Sequence, residues 1–198
     1  MGRPLKENSL TKQDIVQAAI VCLEKEGECA LGVNRVARSL GIKPPSIYKH
    51  LDGNPALRRA VALEIWQRFL TLCHQQTTEL NEPLAMLRAL LHAARNFARS
   101  HPALYAVMIQ VQLQPSDPDF APIVEKILNF YERALKPYDL SRDEMIDTIR
   151  MLHAAFYGFV AAELSGLLTL ERSTDASYEV IIDALVAAIS HIRQPRGK

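Results

Sequence analysis

Long apolar runs, paired cysteines, glycine-rich loops and clustered metal-ligating side chains are all missing from this 198-residue chain. No uninterrupted apolar stretch approaches the ~20 residues that cross a bilayer, and the opening Met1-Gly2-Arg3-Pro4-Leu5-Lys6 lacks the apolar core of a signal peptide. A soluble, cytoplasmic protein with no membrane partner is expected. The three cysteines, Cys22, Cys29 and Cys73, are odd in number and show no Cys-x-x-Cys spacing. Cys22 and Cys73 fall on apolar helix faces, so the cysteines read as reduced packing residues. No phosphate-cradling glycine loop, no nucleophile elbow and no Glu-x-x-His or His-x-x-x-His pair occurs, and the six histidines are scattered. Catalysis, a cofactor and a bound metal are therefore not expected. Strand-like alternation bounded by hairpin turns is absent as well.

What is present is an ordinary globular composition, 48% hydrophobic and 23% charged, with an uneven distribution of sign. The net charge of +1 conceals ten Lys/Arg against six Asp/Glu in residues 1–60 and thirteen against sixteen in 61–198. From Ala30 to Leu51 there are Arg35, Arg38, Lys43 and Lys49 and no acidic residue. A cationic stretch of this kind is the footprint of a polyanion.

The polar residues 1–10, punctuated by Pro4, read as a flexible basic arm. Thr11-x-x-Asp14 has capping-box spacing, and Ile15, Ala18, Ala19, Cys22 and Leu23 then mark one buried helical face, closed by Gly27. Val33, Val36, Ala37 and Leu40 mark a two-turn helix ended by Gly41. Pro44-Pro45 fits only a helix start, giving a third helix from about Pro44 to Leu51. A long unbroken helix is expected from Pro55 to about Thr78. Five more follow: Glu82 to Ser100, Pro102 to about Leu113, Phe120 to Leu135, Ser141 to about Leu168, and Ser177 to Ile192. The expected fold is all-α with about nine helices: an arm over 1–10, a three-helix unit over 11–54, and a larger helical unit over 55–198.

Two short helices joined by a tight turn make a helix-turn-helix when the crossing residue is small, the turn residue tolerates positive φ and branched apolar side chains lock the pair. Ala37, Gly41 and the set Val36, Leu40, Ile42 and Ile47 meet these demands. The stretch Gly32 to Leu51, with its Tyr48-x-His50, resembles the DNA-binding signature of the TetR family, and the resemblance spans about residues 11–60. It implies a transcriptional regulator that binds a double-stranded DNA operator as a homodimer, with an N-terminal DNA-binding domain over 11–54 and an effector-binding and dimerisation domain over 55–198. It places Pro45, Ser46 and Lys49 toward the major groove and Tyr48 and His50 on phosphates. Ser46 and Lys49 can hydrogen-bond base edges and Pro45 can pack on a thymine methyl. Asn34 is placed to reach a base or phosphate, and Arg35, Lys43, Arg3 and Lys6 to make backbone contacts. The chain departs from the family at Gly32, where Ser or Thr usually caps the second helix, and at Asn54, where Lys is usual.

Ser141-x-x-Glu144 caps a helix bearing a small-residue stripe of Ala154, Gly158, Ala161, Ala162 and Ser165, and the last helix carries Ala184, Ala187 and Ala188. Such faces allow close helix approach across a symmetric dimer interface. The segments His153 to Leu164 and Phe97 to Tyr105 resemble the TetR subgroup whose ligand domain is named for a Trp-His-Gly motif. A pocket for a small-molecule effector, apolar or aromatic, would draw on Phe97, Tyr105, Met108, Phe130, Tyr131, His153, Phe156, Tyr157 and Glu163. A DNA-binding protein with the same head and no effector is the alternative.

Overall fold

The computed structural model describes residues 10–192, and among them every regular element is helical. Of the arm expected over 1–10, with Arg3 and Lys6, only Leu10 lies within the described residues, and it is buried. Nine α-helices follow in order: α1 (Lys12–Glu26), α2 (Val33–Leu40), α3 (Pro44–Tyr48), α4 (Gly53–Thr77), α5 (Pro83–Ser100), α6 (Pro102–Gln110), α7 (Ala121–Leu135), α8 (Arg142–Leu164) and α9 (Thr174–Ile192). Short 3-10 turns occupy Glu28–Ala30 and Lys136–Tyr138. The all-α fold expected from the sequence is the fold observed.

The chain divides into two compact units, one formed by residues up to 69 together with 100–123, the other by 70–99 together with residues from 124 onward. In the first, Ile15, Ala19 and Leu23 of α1, Val36 and Ala37 of α2, Ile47 of α3 and Leu57, Val61 and Ile65 of α4 are almost wholly inaccessible to solvent. Helices as short as α2 and α3 are unstable alone in water. Burial of such side chains, ~1.5–3 kcal/mol each, is what holds them. Leu104 and Val107 of α6 and the fully buried Phe120 belong to this unit too. The second unit is built on Leu87 and Ala98 of α5, Ala134 and Leu135 of α7, Leu152 and Val160 of α8, and Tyr178, Ile182 and Ile189 of α9.

Capping boxes start α1 and α8 as their sequences require: Asp14 N donates to Thr11 Oγ1 over 3.1 Å, and Glu144 N to Ser141 Oγ over 3.3 Å. Several ends differ from expectation. Helix α8 stops at Leu164 because Gly166 takes φ 71° and Ser165 Oγ bonds back to the Ala161 carbonyl over 2.7 Å. Helix α9 begins at Thr174, three residues early, with the Ser177 N–H donating to the Ser173 carbonyl over 3.0 Å. Helix α3 ends at Tyr48, and α6 at Gln110, where Val111 turns extended.

Candidate nucleic-acid interface and buried aromatic cluster

Gly41 closes α2 in the left-handed region at φ 69°, and its neighbour Ile42 donates to the Ala37 carbonyl over 3.0 Å. That turn delivers the chain to Lys43, whose extended backbone caps α3, and to Pro44 and Pro45 in the first turn, where a missing N–H costs nothing. Ile47 is then fully buried, while Lys43, Pro45, Tyr48, Lys49 and His50 are exposed, Tyr48 by 55%. On α2, Asn34 and Arg38 are also exposed. The result is a solvent-facing surface of hydrogen-bonding, cationic and apolar side chains from two helices, without a carboxylate from Ala30 to Leu51.

Two residues of the expected DNA-contacting set are placed differently from the rest. Ser46 is 7% exposed and so lies against the protein. Arg35 is held by Glu26 of α1 in a two-pronged ion pair, Nε to Oε2 at 2.8 Å, and the guanidinium keeps the Glu26 carboxyl below its usual range. Asn54, at the start of α4, bonds through Oδ1 to the Val33 N–H.

The same unit carries polar ties that the sequence did not reveal. Arg58 bridges Glu28 and Gln110 at 2.7 Å each. Arg59 binds Asp117 at 2.5 Å and Asp119 at 2.8 Å and lies 4.7 Å over the Phe120 ring. Trp66 Nε1 donates to the Met108 carbonyl over 3.1 Å, and His101 Nδ1 meets Glu24 at 3.0 Å. These contacts bolt α6 and the loop after it onto α1 and α4.

The residues expected to line a pocket are only partly brought together. Tyr131 hydroxyl and His153 Nε2 are 3.0 Å apart, and Phe130, Tyr131, His153, Tyr157 and Phe156 form a chain of edge-on and tilted rings with successive centroids 5.2–5.7 Å apart. Burial pushes the His153 imidazole down and the Tyr131 and Tyr157 hydroxyls up, so all three are uncharged at neutral pH. Burial also raises the Cys73 thiol to about 12. Glu163 stands apart. Its carboxylate binds the buried Arg95 of α5 at 2.9 and 2.5 Å, which keeps it below the usual carboxylate range. Phe97 is buried in the same unit, whereas Tyr105 and Met108 are buried in the first. A separate cavity of about 210 Å³, lined by Leu72, Gln76, Ala89, His92, Ala93 and Asn96, includes none of the expected residues.

The small-residue stripes lie largely open. Ala154, Gly158, Ala161 and Ser165 of the α8 region and Ala184 and Ala187 of α9 are exposed, with Ala162 and Ala188 half-buried.

A helical head with this turn and this exposed cationic face defines a helix-turn-helix DNA-binding protein. Residues 87–185 match the family described as Tetracyclin repressor-like, C-terminal domain. An uncharacterised HTH-type transcriptional regulator of Mycobacterium tuberculosis is 28% identical over 189 residues, covering 96% of this chain and 84% of that protein. A second such regulator, from Bacillus subtilis, is 30% identical over 52% of this chain and 53% of its own length. In fold, the chain is similar to a TetR variant of Acinetobacter baumannii solved with minocycline, with a TM-score of 0.71, 20% identity, and coverage of 94% of this chain and 99% of that one. The chain belongs to the tetracyclin-repressor-like, or TetR, family and is a transcriptional regulator, not an enzyme.

Proposed function

We propose that the protein is a homodimeric repressor that leaves a partly palindromic operator when a small, mainly apolar or aromatic effector binds. In this reading residues 11–54 supply the DNA contacts and 55–198 the effector and dimer functions. The observation that carries it is the exposed face of α2 and α3. Lys49 and Pro45 are exposed on it and would read bases, with the exposed Tyr48, His50, Lys43 and Asn34 supplying further contacts. Two such heads reach successive major grooves, ~34–36 Å apart, only as a dimer, and the open stripes of α8 and α9 are suited to that contact.

The effector's character follows from the second unit. The polar groups of the Tyr131–His153–Tyr157 cluster are uncharged, and Arg95 and Glu163 neutralise each other, so the interior offers hydrogen bonds and rings without a net charge to bind an ion. Gly158, Glu163 and Leu164 keep the resemblance to the Trp-His-Gly subgroup. A constitutive DNA-binding protein without effector is the second reading, favoured by the closure of the expected pocket residues on one another: Glu163 is committed to Arg95, and the Phe130, Tyr131, His153, Tyr157 and Phe156 rings pack in edge-on and tilted contacts.

Fluorescence anisotropy on the intergenic DNA beside the gene tests the reading. Specific binding at physiological salt is expected, with Lys49→Ala changing base preference and Tyr48→Phe weakening all sequences alike. Affinity no better than for random duplex overturns it.

A further inference from the structure

Helix α2 begins without a cap of its own. Gly32 occupies its N-cap in extended backbone and has no side chain to accept a bond from the first turn, which leaves N–H groups without intrahelical partners. One of them is nevertheless satisfied: the Val33 N–H donates to Asn54 Oδ1 over 2.9 Å, from a residue twenty-one positions downstream. Asn54 is the second residue of α4, the helix that runs out of the head. A β-carbon added at position 32 would stand 3.9 Å from that same oxygen, in ordinary contact, so the glycine leaves room that a capping serine could also occupy.

The two departures from the family signature, glycine at 32 and asparagine at 54, are thus one arrangement seen from its two ends. We propose that Asn54 is a positioning residue for DNA binding. It caps α2 from α4, and so holds the first turn of the helix-turn-helix, with the exposed Asn34, in the pose in which it meets DNA. A helix capped by its own residue keeps its first turn whatever α4 does. Here the order of that turn depends on where α4 begins. Asparagine brings no charge, so this role is distinct from the phosphate contact a lysine at 54 would make. The inference rests on the reading of the head as an operator-binding unit.

The test uses the full-length chain. Asn54→Ala is expected to speed hydrogen exchange at the Val33 amide in the absence of DNA and to lower operator affinity about five-fold, the equivalent of one helix cap. The slope of log affinity against log salt should stay unchanged, since no ionic contact is lost. Adding Gly32→Ser to Asn54→Ala should restore affinity, because the cap then comes from α2 itself. Asn54→Asp keeps an acceptor at the same place and should keep Val33 protected, which leaves a readout if the alanine variant does not fold. The proposal is overturned by unchanged Val33 exchange in Asn54→Ala, by unchanged affinity, or by a salt slope that falls by about one, which marks a phosphate ligand. If the unaltered protein shows no specific operator, the functional reading fails while the exchange result still decides the cap.

Discussion

His153 is where a single residue makes stability depend on pH. Its ring is packed between Tyr131 and Tyr157, and burial lowers its pKa below the ordinary value of 6.5. Above that value the ring is neutral in folded and unfolded chains alike and adds no pH dependence. As pH falls below 6.5 the unfolded chain takes up a proton that the folded one refuses, so stability drops until the folded-state pKa is reached. Urea midpoints at pH 7.5 and 5.5 should therefore differ more for the natural chain than for His153→Gln, and equal differences would show that other groups cause the loss. His153 as a residue of interest, and its place among aromatic neighbours on α8, were visible in the sequence because a helical period aligns positions 153, 156 and 157. Its bond to Tyr131 was not, because a pairing across 22 residues leaves no periodic trace. The same holds for Val33 with Asn54, and for Arg35, whose charge was legible while its commitment to Glu26 was not.

At the scale of elements, one side chain joins three helices. Arg95 of α5 is 4% exposed and binds Glu163 of α8 and, at 2.8 Å, Asp175 of α9, with its guanidinium 4.6 Å over the Tyr178 ring. Removing one member of a buried pair strands the other charge, so Arg95→Met should cost ~3 kcal/mol or more in chemical denaturation, and adding Glu163→Leu should recover most of it. A double variant no better than the single would mean that the ring stacking, and not the ion pair, is what the arginine supplies. Element boundaries were readable where capping chemistry marks them, at Thr11 and Ser141, and at Pro44 and Pro102. They were misjudged at Gly166, where the apolar Leu167 and Leu168 beyond it look like a continuing helix face, and at Ser173, where a polar triplet that starts a helix looks like a loop.

For the whole molecule, the open faces of α8 and α9 predict assembly. Ala161→Glu places a charge on an exposed small residue of the proposed interface, where burial against a partner would leave it unpaired. Sedimentation should show monomers at concentrations where the natural chain is dimeric, and operator affinity should fall by roughly 100-fold or more as the second head is lost. A dimeric Ala161→Glu would move the interface elsewhere. The all-helical architecture followed from helical periodicity and breakers alone, whereas the grouping of segments did not, since no local pattern announces that residues 100–123 return to the unit that contains the head. That return limits how such regulators can be recombined. A chimera joined at a single point after residue 69 would inherit Trp66 and Arg59 from one parent and Met108, Asp117 and Asp119 from the other, and one joined after residue 54 would part Glu28 from Arg58 and Glu24 from His101. Exchange of sensing segments between relatives therefore calls for crossovers on both sides of 100–123, so that the inserted stretch travels with the DNA-reading part it is bolted to.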